Sequence, residues 1–253
     1  MATTQSRFSW AIAQLDAAQK PAQGVPAYMR WVNRRGARVI AALGYQLRWT
    51  PNQVTTISAC LSVAGMLVLI FAPFAVSTGV LAAVLLALGF LFDSADGQLA
   101  RVSKLSSKSG EWVDHVVDAF RSPLVHVAVA IAVTAHEGPY SWLALVALGY
   151  SVVTSGQFLS QILAEALVRK AGAQQTRGGN LRSWILLPTD PGVLCWSFVF
   201  WGWAPAFAVV YGLLAAVAAA HSAVSLTRRF KDLSAVDRAA AELADVPSGG
   251  AHA

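Results

Sequence analysis

Charge is scarce in this sequence. Asp, Glu, Lys and Arg make up 13 % of its 253 residues, where an ordinary soluble domain carries about a quarter. With 56 % of the residues apolar, too little polar surface remains to cover a soluble core of that size. Cysteine is nearly absent as well. Cys60 and Cys195 are the only two, and each lies within a hydrophobic run. Both are expected as small buried apolar residues, which leaves no basis for a disulfide framework or a thiolate metal site. An early apolar run is also missing. The first begins near Val54, too far from Met1 for a secretory h-region, so no cleavable leader is expected. No internal repeat is visible.

What the chain does contain is a series of long apolar segments, at 54–74, 79–101, 111–133, 141–167, 192–203 and 206–226. Most reach the roughly 20 residues that a helix needs to cross the hydrocarbon. The fifth is short and follows Pro188 and Pro191. Helices are the only sensible choice, because isolated strands leave backbone groups unsatisfied in lipid. The expected fold is an all-α integral membrane protein with six transmembrane helices.

Lys and Arg are distributed on one side only. The connections at 72–78, 134–140 and 203–205 carry none. Basic residues instead precede the first span (Arg30, Arg34, Arg35, Arg38, Arg48). Others sit in the second connection (Arg101, Lys104, Lys108), fill the fourth (Arg169, Lys170, Arg177, Arg182) and follow the last span (Arg228, Arg229, Lys231). The positive-inside rule therefore predicts both termini in the cytoplasm. The net charge of +6 is accounted for by topology and anionic headgroups, so no nucleic-acid partner is invoked. Residues 26–47 interleave Met29, Trp31, Val32, Val39, Ile40 and Leu43 with arginines, as expected of an amphipathic helix lying in the interface. The domain reading is a polar N-terminal part at 1–25, a tail or a surface helix, then a membrane domain at 26–228 and a cytoplasmic tail at 229–253. Within that last part, 231–243 reads as a short exposed helix and 246–253 as disordered.

Four of the chain's 13 acids stand at helical spacings in one stretch, FDSADGQLARVSKLSSKSGEWVDHVVDAF, at residues 92–120. Asp93, Asp96, Gly97 and Ala100 stand at i, i+3, i+4 and i+7, on one helical face, and Asp114 and Asp118 are at i and i+4 on the next helix. The short basic loop between them predicts that the two helices are antiparallel neighbours with four carboxylates face to face at the cytoplasmic boundary. Acids near hydrocarbon are costly and are functional suspects by default. Clustered oxygen ligands suit Mg²⁺ or Mn²⁺, and four carboxylates can hold two ions. Gly97 and Ala100 remove bulk where a ligand would approach, and Arg101 offers a planar fork to phosphate. Together these features describe a site for a diphosphate-containing substrate. A cation transporter would more usually place its acids near the bilayer midplane at broken helices.

The run Asp93-x-x-Asp96-Gly97-x-x-Ala100-Arg101, then eight residues to Gly110-x-x-x-Asp114-x-x-x-Asp118, resembles the motif of the CDP-alcohol phosphotransferase family. Thr50-Pro51-Asn52-Gln53-Val54-Thr55 is similar to that family's proline-asparagine-x-x-threonine segment. The resemblance covers about residues 26–226. It implies that Asp93, Asp96, Asp114 and Asp118 bind two Mg²⁺ or Mn²⁺ ions, with Asp118 as general base. It also implies that Gly97, Ala100, Arg101 and Gly110, with Asn52 and Thr55, line the nucleotide and phosphate pocket. A CDP-linked lipid donor, a small alcohol acceptor, release of CMP and a homodimer are further implications. Arg121, Arg177 and Arg182 are candidates for the acceptor pocket, Arg121 equally readable as a cytoplasmic anchoring charge. Gly110-Glu111 followed by Asp114-His115 is somewhat like the choline and ethanolamine branch, in which a CDP-alcohol is donor and a diglyceride accepts. The compact, alanine-rich chain favours a bacterial plasma membrane with the site facing the cytoplasm.

Overall fold

The computed structural model describes residues 6–17, 25–136, 139–171 and 180–244, with the side chains of 180–182 and 239–244 excepted. Every element among them is helical. In chain order these are α1 (Arg7–Ala17), a π-helical turn (Met29–Asn33) running into α2 (Arg34–Gln46), α3 (Pro51–Phe71), α4 (Val76–Ser103), α5 (Lys108–Ala135), α6 (Leu143–Lys170), α7 (Asn180–Ile185), α8 (Pro191–Ser197) and α9 (Ala204–Ala244). Five helices are long and apolar enough to cross a membrane: α3, α4, α5, α6 and the Ala204–Arg238 part of α9. Their outer faces carry large exposed apolar side chains such as Phe71, Leu145 and Val152, a surface suited to hydrocarbon rather than water.

Local chemistry sets the helix ends. Thr50 caps α3 by accepting from the Gln53 N–H, while the Gln53 side chain returns to the Thr50 N–H, and Pro51 occupies the first turn. That capping box starts the helix at Pro51, ahead of the apolar run at Val54. Ser107 caps α5 through the Gly110 N–H at 3.0 Å. Within α3 the buried positions Thr55, Ser58, Ser62 and Gly65 recur at helical spacing. They form a stripe of small and polar residues along which α4 packs closely.

At the Lys- and Arg-free end, an aromatic core of Phe198, Trp201, Phe207 and Tyr211 is fully buried. His126 stacks on Tyr150 with centroids 3.8 Å apart and bonds the Tyr211 hydroxyl at 2.8 Å, a packing role within an aromatic group.

The expected fifth span at 192–203 takes another form. Asp190 caps α8, Pro191 opens it, and after Ser197 the chain tightens into a 3₁₀ turn at Phe198–Phe200. Such a helix, about 10 residues with its turn, reaches only half the hydrocarbon thickness. The segment still links opposite ends of the bundle. Arg169, at the end of α6, pairs with Glu111 in the first turn of α5 at 3.7 Å. Gly202, just before α9, meets the backbone of Ala75 and Val76.

Asp190 also clasps the interfacial region. Its carboxylate accepts from the Met29 N–H at 2.7 Å and the Gly192 N–H at 2.9 Å, and Trp196 Nε1 donates to the Tyr28 hydroxyl at 2.8 Å. Asp190 is 1 % exposed. Asp190→Ala leaves two buried N–H groups without acceptors and is expected to cost about 1–3 kcal/mol, read as a lower thermal unfolding midpoint in detergent. An unchanged midpoint would refute the clasp.

The terminal regions are helical where they are described. Part of 1–25 is a docked helix: Ala11 and Leu15 of α1 are buried with Ala37, Ala41 and Ala42 of α2, and Arg38 pairs with Asp16. α2 does lie where the interfacial helix was expected, with small residues inward and Val39 and Leu43 exposed. At the other end the last long helix does not stop near 228. α9 continues without a break to Ala244, since the alanine-rich 231–243 stretch contains no breaker. Residues 246–253 lie outside those described.

Candidate active site

The acidic motif straddles the ends of α4 and α5 that face the basic loop. α4 closes on Lys104, whose φ of 59° is left-handed, with the Leu105 N–H returning to the Ala100 carbonyl at 2.9 Å. Three exposed residues later Ser107 starts α5. The two helices meet through side chains, Asp93 of α4 with Arg121 of α5, and make few close backbone approaches to each other. Each packs along α3 instead, because the small and polar stripe of α3 accepts them more closely than they accept each other. A cleft therefore opens between α4 and α5, with α3 as its floor.

Asp93 from α4 and Asp114 and Asp118 from α5 converge there, one carboxylate oxygen of each lying within 4.8 Å of the others. Asp96 is the most buried of the four acids and turns toward the floor. Its Oδ2 accepts the Thr55 hydroxyl at 2.5 Å and its Oδ1 accepts the Gly97 N–H. The four-carboxylate face is thus three acids in a cluster with a fourth held one turn along by α3.

Arg121, one turn beyond Asp118, enters the same cluster. Its Nη2 lies 2.6 Å from Asp93 Oδ1 and bonds Asp118, while Nη1 donates to Ser58 Oγ at 2.8 Å. The Ser58 hydroxyl in turn donates to the Gly89 carbonyl at 2.8 Å. Arg121 is thus a largely buried side chain paired with the acids and not a surface anchoring charge. Ser58 escaped the sequence reading, although it shares a face with Thr55 and Ser62, and a polar stripe within an apolar helix was the available signal.

The remaining motif residues lie on the same two helices and at the start of α3. A Cβ added at Gly97 would meet only Arg101 Nη1, at 3.6 Å, and one added at Gly110 would stand 3.5 Å from Asn52 Oδ1. Gly97 therefore faces Arg101, and Gly110 allows the start of α5 to approach the start of α3. Ala100 is half-buried on the same helix. Arg101 Nε is buried without a hydrogen-bond partner among the described residues, a donor suited to an incoming anion. Across from it, Gln98 fixes the Arg34 carbonyl at 3.0 Å. Burial, with the nearby guanidiniums of Arg101 and Arg30, lowers the Arg34 pKa from its ordinary value. Arg177 and the Arg182 side chain lie outside the described residues.

A hard divalent cation fits this donor set. The ligand atoms are all carboxylate oxygens, and among the described residues Asp93 Oδ1 is buried with no hydrogen bond, paired there with Arg121 alone. Oxygen-only clusters of this kind suit Mg²⁺ or Mn²⁺.

Residues 48–226 match the family model for CDP-alcohol phosphatidyltransferase. The chain belongs to that family. Its members are transferases of phosphate-containing groups that act on CDP-linked lipid donors and alcohol acceptors with divalent metals. The cleft and its acids lie inside the matched region. A stretch of 95 residues is 33 % identical to the "Bifunctional IPC transferase and DIPP synthase" of Aquifex aeolicus (strain VF5), covering 38 % of this chain and 20 % of that protein. The chain thus matches about a fifth of that relative's length.

Proposed function

We propose that this CDP-alcohol phosphatidyltransferase moves a phosphatidyl group from CDP-diacylglycerol to the hydroxyl of a small alcohol and releases CMP. The observation that carries the reading is the convergence of Asp93, Asp114 and Asp118 within 4.8 Å at the acidic positions of a complete motif. Asp93, Asp96, Asp114 and Asp118 would hold two Mg²⁺ or Mn²⁺ ions, whose contribution when bound is withdrawal of charge from the diphosphate. Gly97, Ala100, Arg101 and Gly110, with Asn52 and Thr55, line the nucleotide and phosphate side of the cleft. Asp118 accepts the proton of the acceptor hydroxyl as that oxygen bonds to the β-phosphorus. The bond from that phosphorus to CMP breaks, and Arg101 receives the charge of the leaving phosphate. The acceptor side is assigned to Arg121, Arg177 and Arg182.

The chain would cross the plasma membrane of a bacterium six times, the segment before α9 serving as the short fifth crossing. Both termini and the acids would then face the cytoplasm, in agreement with the connections that lack Lys and Arg. Acyl chains remain in hydrocarbon while the headgroup reaches the acids at the boundary. A homodimer is carried over from the family resemblance.

The test is CMP release by the purified full chain in lipid, with CDP-diacylglycerol, Mg²⁺ or Mn²⁺ and a panel of polyol, amino-alcohol and phosphorylated acceptors. Metal-dependent release with one class of acceptor is expected. Release only with a CDP-alcohol and diacylglycerol would reverse donor and acceptor, and release with neither would overturn the proposed reaction.

A further inference from the structure

The feature the family motif does not account for is Arg121. Its side chain is 14 % exposed and points into the acid cluster, with Nη2 on Asp93 and Asp118 and Nη1 on Ser58 of α3. Two of the three clustered carboxylates are thereby engaged by one internal cation. Three carboxylates held this close repel one another, and the guanidinium offsets part of that charge. A divalent ion bound to the same oxygens would stand within a few ångströms of Nη2, so the two cations compete for one position. The Ser58 contact gives the arginine a hold on α3 that does not depend on the acids.

We propose that Arg121 is a built-in counter-ion of the acid cluster, displaced when divalent metal enters and returned when it leaves. The proposal rests on the metal-site reading of Asp93, Asp114 and Asp118. Its consequence is a coupling between metal and nucleotide. In the resting protein the arginine weakens metal binding and occupies Asp118, the group assigned as base. A diphosphate arriving with the metal supplies the negative charge that the displaced guanidinium loses. Metal and CDP-linked substrate therefore bind more tightly together than either does alone, and the acids stay occupied until both are present.

The experiment is direct Mn²⁺ binding to the purified full chain, read from the electron paramagnetic resonance of free Mn²⁺, with and without CDP. Arg121→Gln is expected to bind Mn²⁺ alone about tenfold or more tightly than the unaltered chain, since removing one like charge beside the ion is worth at least that much. CDP is expected to tighten Mn²⁺ binding in the unaltered chain and to do so much less in Arg121→Gln. Arg121→Lys, which keeps the charge without the fork, should fall between them, and serves if the Gln variant does not fold. Equal or weaker Mn²⁺ binding in the folded variants would overturn the counter-ion role and show an arginine that merely props the acids. Binding that survives Asp114→Asn, or no Mn²⁺ binding in any form, would overturn the metal-site reading and the counter-ion with it.

Discussion

Asp118→Asn is expected to reduce CMP release about 10³-fold or more while leaving the thermal unfolding midpoint nearly unchanged. Loss of a positioned general base alone costs about 10²–10⁴-fold, and here the same carboxylate belongs to the cluster with Asp93 and Asp114. The amide keeps the size of the side chain and can still accept from Arg121, so the helix retains its packing. The charge and the proton acceptor are what disappear. Initial rates over a range of acceptor and Mn²⁺ concentrations would separate the two contributions. A deficit rescued by excess metal points to ligation, and one that persists at saturation points to the base. A variant with an ordinary turnover number would remove Asp118 from the chemistry.

Gly79→Ala should have the opposite profile, with a large loss of stability and little direct effect on the reaction. Gly79 lies near the start of α4, at the end remote from the acids. An added Cβ would stand 2.3 Å from the Phe198 carbonyl oxygen and 2.6 Å from Trp201 Cβ. A backbone oxygen in a 3₁₀ turn cannot rotate away, so α4 and the 198–201 turn must separate. Overpacking of this kind costs about 1–3 kcal/mol and occasionally more. The helix-propensity gain from Gly to Ala, up to about 1 kcal/mol, offsets only part of it. A net loss of about 2 kcal/mol is expected, measured as a lower unfolding midpoint in detergent, with the folded fraction turning over normally. Gly202→Ala, whose Cβ would meet Val76 N at 2.1 Å, should behave alike because it strains the same joint. Wild-type stability in either variant would show that this joint yields.

The contrast between these sites parallels what could be read from the sequence. The acids were legible because helical spacing fixes which residues of one helix share a face, and Asp93 with Asp96, or Asp114 with Asp118, needs nothing more. How the two faces meet was not legible. A short loop between α4 and α5 indicated antiparallel neighbours, but not that both would pack along α3, with the Thr55, Ser58 and Ser62 stripe against α4 and Ser58 also holding Arg121 of α5. Arg121 was ambiguous for the same reason: its partners belong to three helices, and one helix's periodicity cannot report on the other two. The apolar run at 192–203 showed burial without showing a helix that is capped at Asp190 and tightened after Ser197. The break expected after residue 228 has no counterpart because charge alone does not end a helix rich in alanine.

The clasp between Asp190 and Met29 joins residues 161 positions apart, and the Trp196–Tyr28 bond spans 168. A ribosome delivers the N-terminal partner of each long before the C-terminal one. While α3 to α6 are being made, the segment around Met29 lacks its Asp190 partner. The wall of the cleft that α2 supports through Gln98 and Arg34 is therefore locked late in synthesis. A nascent chain halted before α8 would carry all four acids and still lack the fastening of the helix beside them.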